Sequence, residues 1–258
     1  CLLEELLQAR PKDCTGAELF KWNYLESQCL SALPRPGVSA EDRRNAAIAK
    51  MLCSEESCRE INQNGFRDEA SIQHVLAIAR ELIARVIGEV PDLGIFENAT
   101  FSNGASTSRN KNKGDPYFKY GLGDKVQVTP GALAYAYALV KATPLWCETF
   151  NGCAQVSGNR ITTVPKKTEI DRAIAMEPDM NMCLQLAVGR YFKSRLSRWG
   201  INLHDQTRNK ELAQLGSLYN HLATIDLSAA SDSISRYLVL MLLPPKWYDL
   251  LDSLRSPA

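Results

Sequence analysis

The sequence predicts a helix-rich α+β fold, and three features carry this prediction. Residues 40–62 have a helical composition, and residues 71–90 place apolar side chains at a spacing of 3.6. Residues 160–165 and 172–177 are rich in β-forming residues and flank a charged turn, which predicts a hairpin. Residues 221–227 (HLATIDL) are typical of a short, buried strand with a carboxylate at its end.

Composition excludes several classes of protein. The chain has 258 residues, of which 45% are hydrophobic and 23% charged, so it can form one large domain or two modest ones. The longest uncharged stretch, residues 126–140, is too short to span a bilayer. Eight irregularly spaced cysteines without a Cys-x-x-Cys pair, and only three histidines, favour reduced thiols over disulfides or zinc. Because the chain starts at Cys1 and stops at Ala258, we expect it to be a piece of a longer protein.

Further helices follow from local signals. In the 71–90 helix one face is expected to pack, and it comprises Val75, Leu76, Ala79, Leu82, Ile83, Val86, Ile87 and Val90. Residues 98–124 are predicted to form a long polar loop. Thr129 and Pro130 predict the start of a helix that ends near residue 142, and Gly200 predicts the end of a helix over residues 178–199. Shorter helices are expected at residues 209–215 and 229–243, and Trp199 and Trp247 are expected in the core.

The net charge of +1 conceals a strong asymmetry. Residues 104–125, 160–172 and 190–210 together carry a net charge of +10, which leaves −9 on the rest of the chain. A polyanionic partner explains this segregation, since Lys and Arg at phosphates release counterions, while solvated surface is the alternative for any one cluster. The candidate RNA-binding residues in these clusters are Asn103, Arg109, Lys111, Lys113, Arg190, Lys193 and Arg195.

Residues 224–233 (TIDLSAASDS) carry the clearest chemical signal. Asp226 ends the predicted strand, where its carboxylate can bind Mg²⁺, and Asp232 lies six residues on, where it can reach a ribose. The alternative is structural: Asp226 caps the following helix and Asp232 lies in its first turn. Lys166, Lys167 and Arg172 on the predicted hairpin favour the first interpretation, since a triphosphate needs cations as well as metal.

Residues 224–235 (TIDLSAASDSIS) resemble polymerase motif A of the RNA-directed RNA polymerases of single-stranded RNA phages, the leviviral replicase β subunits. Residues 101–105 (FSNGA) resemble the fingers loop of that family, and residues 164–178 (VPKKTEIDRAIAMEP) resemble its motif F. Residues 200–206 (GINLHDQ), 251–257 (LDSLRSP) and 61–66 (INQNGF) are also similar to it. The matching blocks span most of residues 98–258 in the order of the family.

The resemblance implies the N-terminal part of a right-hand polymerase with fingers, palm and thumb. It implies a helical region over residues 1–97, fingers over 98–220 and the start of the palm over 221–258. By the same resemblance Asp226 binds the catalytic Mg²⁺ ions and Asp232 recognises the ribose 2′-hydroxyl. Lys166 and Arg172 contact the incoming nucleotide, and Glu177 supports Arg172.

Two departures from the family pattern qualify these roles. The second lysine expected three places after Lys166 is Glu169, which leaves open whether Lys166 or Lys167 meets the triphosphate. Motif B and the Gly-Asp-Asp motif C do not occur in these residues, so we expect an incomplete two-ion Mg²⁺ site and no activity from this polypeptide alone.

The resemblance also implies partners: an RNA template, nucleoside triphosphates, host elongation factors Tu and Ts and a host ribosomal protein. It implies the bacterial host cytoplasm and no membrane. The alternatives are a reverse transcriptase, which Asp232 disfavours because DNA synthesis profits from a bulky residue there, and a non-enzymatic RNA-binding module with the basic hairpin and helix as its groove. A metal-dependent nuclease would usually show more carboxylates or a histidine near Asp226.

Overall fold

The computed structural model describes residues 5, 8–9, 11–32, 37–66, 69–120, 125–166, 170–225 and 227–256. Its helices are α1 (Gly16–Ala32), α2 (Ala40–Asn64), α3 (Glu69–Ile87), α4 (Pro116–Tyr120), α5 (Leu133–Lys141), α6 (Pro144–Thr149), α7 (Asp179–Arg198), α8 (Thr207–Tyr219), α9 (Arg236–Leu242) and α10 (Pro245–Leu254). Short 3₁₀ helices occupy Leu93–Asn98, Lys111–Lys113 and Pro130–Ala132. None of the described helices is long and apolar enough to cross a membrane.

The strands form two small sheets. β1 (Val126–Val128) pairs in parallel with β2 (Cys153–Gln155), and β3 (Arg160–Pro165) pairs with β4 (Asp171–Met176). The second pair confirms the predicted hairpin. Many helices and four short strands in the described residues confirm the α+β prediction, while the division into fingers and palm stays a prediction.

The chain divides into two compact units. One comprises residues 1–56 and 161–175, and the other comprises residues 57–160 and 176–258. In the first, Ser39 and Asp42 form a capping box at the start of α2, where Asp42 N–H donates to Ser39 Oγ (3.1 Å) and Ser39 N–H donates to Asp42 Oδ2 (3.0 Å). The Asp42 carboxylate also accepts from the Ser39 hydroxyl (2.7 Å), and this bond, followed by the one from the Ser39 N–H, holds the pKa of Asp42 below its usual value. The capping box explains why α2 begins at Ala40, where the composition of residues 40–62 predicts a helix.

Helix α7 lies at the centre of the second unit. It packs against α3, α5, α10, β1 and the 3₁₀ helix at Leu93–Asn98. Its fully buried side chains include Met180, Cys183 and Leu184, and Trp247 and Leu254 of α10 are also buried. α7 ends as predicted: Gly200 has φ +80°, its N–H donates to Ser197 O (3.0 Å), and Ile201 N–H donates to Leu196 O (3.0 Å).

The described cysteines are free, and their reduced state in the cell stays a prediction. Cys58 and Cys183 are buried, but Cys53 and Cys147 are exposed, so not every thiol belongs to the core. Burial raises the pKa of Cys183 to about 12 and that of Cys153 to about 11. Both thiols are therefore protonated at neutral pH.

Several local predictions were wrong. In α3, Val75 (63%), Leu82 (47%) and Val90 (64%) are exposed, because α3 packs on α7 and α9 along a narrower stripe and ends before Val90. Trp199 is 53% exposed, since it caps the C-terminus of α7. The hydroxyl of Thr129 does not cap the helix that follows but accepts from Asn181 Nδ2 (2.7 Å).

Candidate functional site

The described part of the predicted polar loop, residues 98–120, is built around a buried carboxylate. Asp179, the first residue of α7, is 1% exposed. Its Oδ1 accepts from Ser106 Oγ (2.5 Å), and its Oδ2 accepts from Ser108 Oγ (2.6 Å) and from the N–H of Gln127 (2.8 Å). The hydroxyl-rich composition that predicted a solvated loop therefore supplies internal hydrogen bonds.

A buried cation fastens the other side of the loop. Lys119 of α4 is 2% exposed, and its Nζ donates to Ser102 O and Gly104 O, both at 2.7 Å. Burial lowers the pKa of Lys119, while the nearby Asp179 carboxylate acts in the opposite direction. A Cβ on Gly114 would lie 2.8 Å from Gly104 O, so only glycine allows this close approach of the chain.

The predicted RNA-binding residues of this loop differ in accessibility. Asn103, Lys111 and Lys113 are exposed. Lys111 and Lys113 lie on a 3₁₀ helix that begins at Asn110, whose Oδ1 accepts from the N–H of Lys113 (3.1 Å). Arg109 is only 8% exposed and lies within the loop. The exposed residues are the members of the set that a polyanion can reach without rearrangement.

The hairpin in the first unit presents the predicted nucleotide-binding cations to solvent. Lys166 follows β3 and Arg172 lies on β4, and both are exposed. The neighbouring Asp171 faces the opposite side of β4, where its Oδ1 lies 3.4 Å from Nε of Arg43. The alternation on β4 thus keeps a carboxylate away from Arg172. Lys167 and Glu169 lie outside the described residues.

Glu177 occupies a junction in the second unit. Its Oε1 accepts from Asn159 Nδ2 (3.1 Å), and its Oε2 accepts from Gln185 Nε2 (3.2 Å) and from the hydroxyl of Ser256. Its carbonyl accepts from the N–H of Thr107 (3.1 Å). Glu177 therefore links the described end of the chain to α7 and to the loop around Asp179.

The basic residues of α7 have unequal roles. Arg195 Nε donates to Val86 O (2.6 Å), and Tyr191 Oη donates to Ile87 O (2.9 Å). Together with Trp247 Nε1, which donates to Gly88 O (2.8 Å), they satisfy carbonyls at the C-terminus of α3.

Arg190 donates to Asn98 O (2.5 Å) and to the hydroxyl of Thr100. Lys193 is exposed, and these contacts give the two arginines a structural role that their charge pattern did not indicate.

The segment that resembles motif A departs from its predicted structure. Residues 221–225 and 227 form no strand, and Ile225 (83%) and Leu227 (71%) are exposed, so the prediction of a buried strand was wrong here. In the described residues no strand lies beside this segment to pair with it. The helix predicted from residue 229 begins only at Arg236, after turns in which Ala229 has φ +53°.

Asp226 lies outside the described residues, and Asp232 is exposed. Ser231 Oγ donates to Asp232 Oδ1 (3.1 Å), and the Asp232 carbonyl accepts from Cys58 Sγ (3.4 Å). The N-cap of α9 is Ser235, whose Oγ accepts from the N–H of Leu238 (3.1 Å). Asp232 therefore precedes α9, and its interpretation as a first-turn residue was wrong, while the predicted capping role of Asp226 falls outside the described residues.

A complete magnesium site does not form within the described residues. No three carboxylates, cysteines or histidines of that part of the chain are close enough to share an ion. Asp232 is a single exposed carboxylate, and the other candidate, Asp226, is not described. The described residues thus do not by themselves fit a two-ion site.

Sequence reasoning missed Asp179 and Lys119, the residues on which the loop depends. Asp179 had the appearance of a helix-start carboxylate favoured by the dipole, and Lys119 was counted with the surface charge. The available signal was the Ser-x-Ser pair at residues 106 and 108 ahead of a strand, which is too common to single out. The hydrogen bonds between these serines and Asp179 join segments that are about 70 residues apart in sequence.

Comparison with known proteins gives the family. The family model described as "RNA replicase, beta-chain" matches residues 3–258. The RNA-directed RNA polymerase subunit beta of Enterobacteria phage SP is 41% identical over 249 residues, which cover 93% of this chain and 42% of the phage protein. The corresponding subunit of Escherichia virus Qbeta is 39% identical, with coverage of 92% and 41%.

A third relative, the RNA-directed RNA polymerase beta chain of Escherichia phage MS2, is 38% identical over 244 residues, which cover 90% of this chain and 44% of the phage protein. The chain thus spans less than half the length of these curated relatives, and the family match covers nearly all of it. This chain belongs to the RNA replicase beta-chain family, as the resemblance of its motifs indicated.

Proposed function

We propose that this chain forms part of a viral RNA-directed RNA polymerase that copies an RNA template from nucleoside triphosphates. The observation that carries the proposal is the family match over residues 3–258, together with relatives that are named as RNA-directed RNA polymerases. In the reaction a 3′-hydroxyl attacks the α-phosphate and pyrophosphate leaves. The contribution of the protein is positioning and charge stabilisation.

Asp226 is the proposed catalytic carboxylate and magnesium ligand, and Asp232 is the proposed contact to the ribose 2′-hydroxyl. Magnesium, when bound, stabilises charge on the reacting phosphates. The exposed carboxylate of Asp232, with Ser231 beside it, is accessible to a nucleotide. The remaining magnesium ligands are expected from sequence outside these 258 residues, because the described residues gather no such set.

Lys166 or Lys167, with Arg172, is proposed to bind the triphosphate, and Glu177 to support this region. The exposure of Lys166 and Arg172, and the pairing of Asp171 with Arg43 on the other side of β4, support the proposal. A guanidinium beside an unpaired carboxylate would bind phosphate less well. The preference for Lys166 over Lys167 is not decided by the described residues.

The template contacts are proposed to begin with Asn103, Lys111, Lys113 and Lys193, which are exposed. Arg190 and Arg195 use part of their five N–H donors on backbone carbonyls, so each keeps donors for a phosphate. Arg109 stays a prediction, because contact with RNA requires its buried side chain to move. Host elongation factors Tu and Ts, a host ribosomal protein and a location in the host cytoplasm belong to the same proposal.

The test compares this chain with a full-length polymerase that contains it, in RNA-templated incorporation of ribonucleotides. We expect no incorporation by the 258-residue chain and template-dependent synthesis by the full-length protein. Asp226→Ala in the full-length protein should abolish synthesis and leave template affinity unchanged. Synthesis by the 258 residues alone would contradict the incomplete site, and synthesis by Asp226→Ala would contradict the metal assignment.

Two further measurements separate the alternative functions. Asp232→Ala should lower the ratio of ribonucleotide to deoxyribonucleotide incorporation by the full-length protein. A reverse transcriptase would instead prefer deoxyribonucleotides in the unsubstituted protein. If the chain is instead a non-enzymatic RNA-binding module, Asp226→Ala should leave its RNA affinity unchanged. The full-length protein should then show no synthesis. The control substitution is Asp249→Ala, an exposed carboxylate on α10 that has no proposed role.

A further inference from the structure

Two aromatic side chains are exposed beside the basic loop. Tyr117 and Phe118 of α4 are 77% and 42% exposed, and their ring centroids lie 5.5 Å apart at an interplanar angle of 81°. The next residue of the same helix, Lys119, is by contrast fully buried. The inward side of α4 is fixed by a polar contact, and its outward side presents apolar ring faces.

The segment that carries these rings is held firmly. Lys119 donates to Ser102 O and Gly104 O, both at 2.7 Å, and Gly114 packs directly on the backbone of Asn103 and Gly104. Asp115 Oδ1 accepts from the N–H of Tyr117 (2.8 Å) at the start of the helix. A ring held on a fixed backbone loses little conformational entropy when a ligand stacks on it.

The charged residues close to the two rings in sequence indicate which kind of ligand the rings bind. Lys111 and Lys113 are exposed on the 3₁₀ helix that precedes α4. Asn103 is also exposed, between the two residues whose carbonyls accept hydrogen bonds from Lys119. Asp115 is the one acidic residue between positions 104 and 123, and its carboxylate already accepts a hydrogen bond from the backbone. Exposed rings with lysines beside them match the bases and phosphates of an unpaired nucleic-acid strand.

We infer that Tyr117 and Phe118 stack on unpaired bases of single-stranded RNA while Lys111 and Lys113 contact its phosphates. This inference rests on the proposed function, since it assigns the kind of RNA and the mode of contact. Every base has a π-face, so the contact holds a strand without selecting its sequence, as template binding requires. Duplex RNA hides its base faces within the stack and cannot use these rings.

The test measures affinity of this chain for a labelled single-stranded 12-nucleotide oligouridylate and for a duplex of the same length, at several salt concentrations. Tyr117→Ala should weaken binding of the single strand about tenfold and leave duplex binding and the salt slope unchanged. Tyr117→Phe should bind like the parent chain, because it keeps the ring. Lys113→Gln should instead lower the salt slope by about 0.7 for the single strand.

Tyr219→Ala is the matched control, because Tyr219 is 69% exposed on α8 and the nearest lysine or arginine in sequence is Lys210, at the other end of that helix. It should bind as the parent does. Unchanged affinity in Tyr117→Ala, or equal loss for both ligands, overturns the stacking and leaves the proposed function intact. Failure of the parent chain to bind the single strand also overturns the stacking, whereas the proposed function is tested separately by synthesis in the full-length protein. Thermal melting of each variant detects a packing defect, and destabilisation without loss of affinity also overturns the inference.

Discussion

The loop around Asp179 and the segment at residues 201–234 both contain blocks that resemble the same family, yet they differ in how far their side chains are buried. In the loop, two buried charges have partners: Asp179 accepts three hydrogen bonds, and Lys119 donates two. In the second segment most described side chains are exposed, including Ile225 and Leu227. The comparison shows that chemistry can be assigned to a segment that contributes little to the stability of the fold.

The difference has a physical origin. A buried carboxylate or ammonium group is tolerated only when hydrogen bonds replace its hydration, so such groups impose one geometry on the chain around them. An apolar strand has no such requirement and gains stability only from a neighbouring strand and a covering layer, which the described residues do not provide. The conformation of such an apolar segment therefore depends on the partners that pack against it.

The same contrast between buried and exposed side chains should be largest for two matched tryptophans. Trp247→Ala should lower the free energy of unfolding by about 3–5 kcal/mol, because Trp247 is 0% exposed, stacks on Tyr191 at 5.2 Å and donates to Gly88 O. Trp199→Ala should lower it by less than about 1 kcal/mol. Urea denaturation followed by circular dichroism measures both, and equal losses would contradict the comparison.

Matched carboxylates should give the next largest effect. Asp179→Ala should cost about 2–4 kcal/mol, because it leaves buried donors on Ser106, Ser108 and Gln127 without their acceptor. Asp232→Ala, at an exposed position, should change stability by less than about 0.5 kcal/mol. The same unfolding experiment applies, and native-state proteolysis should cut the 101–114 loop faster in Asp179→Ala only. Comparable stability of the two variants would remove the structural role of Asp179.

A smaller, pH-dependent effect is expected at Asp252 of α10, which belongs to neither region. Burial raises its pKa, but hydrogen bonds from Arg236 (3.0 and 2.8 Å) and Arg255 (3.2 Å) outweigh burial and lower it overall. Asp252→Asn should cost about 1 kcal/mol or less at pH 7.

The sign of the pH dependence follows from the lowered pKa. The stabilisation is complete above the unfolded-state pKa of about 3.9 and is lost as pH falls through the lower folded-state pKa. Urea midpoints of the parent and Asp252→Asn should therefore differ at pH 7 and converge toward pH 3. A difference that grows on acidification would contradict the assignment.

The smallest effect is expected in the exposed segment itself. Leu218→Ser, at a side chain that is 67% exposed on α8, should change the free energy of unfolding by less than about 0.5 kcal/mol. Leu254→Ser, at a side chain that is 1% exposed, is the control and should be strongly destabilising. A large loss from Leu218→Ser would show that α8 is packed in solution.

Much of the fold was predictable because its signals are local. The capping box at Ser39, the glycine that ends α7 and the β-rich flanks of the hairpin each act over a few residues. The motifs also gave the family, which the match over residues 3–258 confirms. Lys166, Arg172 and Asp232 are exposed, and their roles stay proposals.

What failed depended on partners distant in sequence. Trp199 and Trp247 are equally apolar, and only the packing of α10 against α7 decides which of them is buried. Arg195 and Lys193 are equally basic, and only the end of α3 makes Arg195 a capping residue. The fate of residues 221–227 likewise depends on a neighbouring strand, because a strand without one leaves its backbone groups unpaired.

The sequence by itself determined the positions of α2, α3, α5, α7 and α8 to within a few residues, where positive charge accumulates and to which family the chain belongs, because each depends on neighbouring residues. The tertiary structure alone decided that Lys119 and Asp179 are internal and that Tyr117 is external. These assignments rest on segments that meet across 15 to 73 residues of chain, and the desolvation of a charge depends on everything that surrounds it.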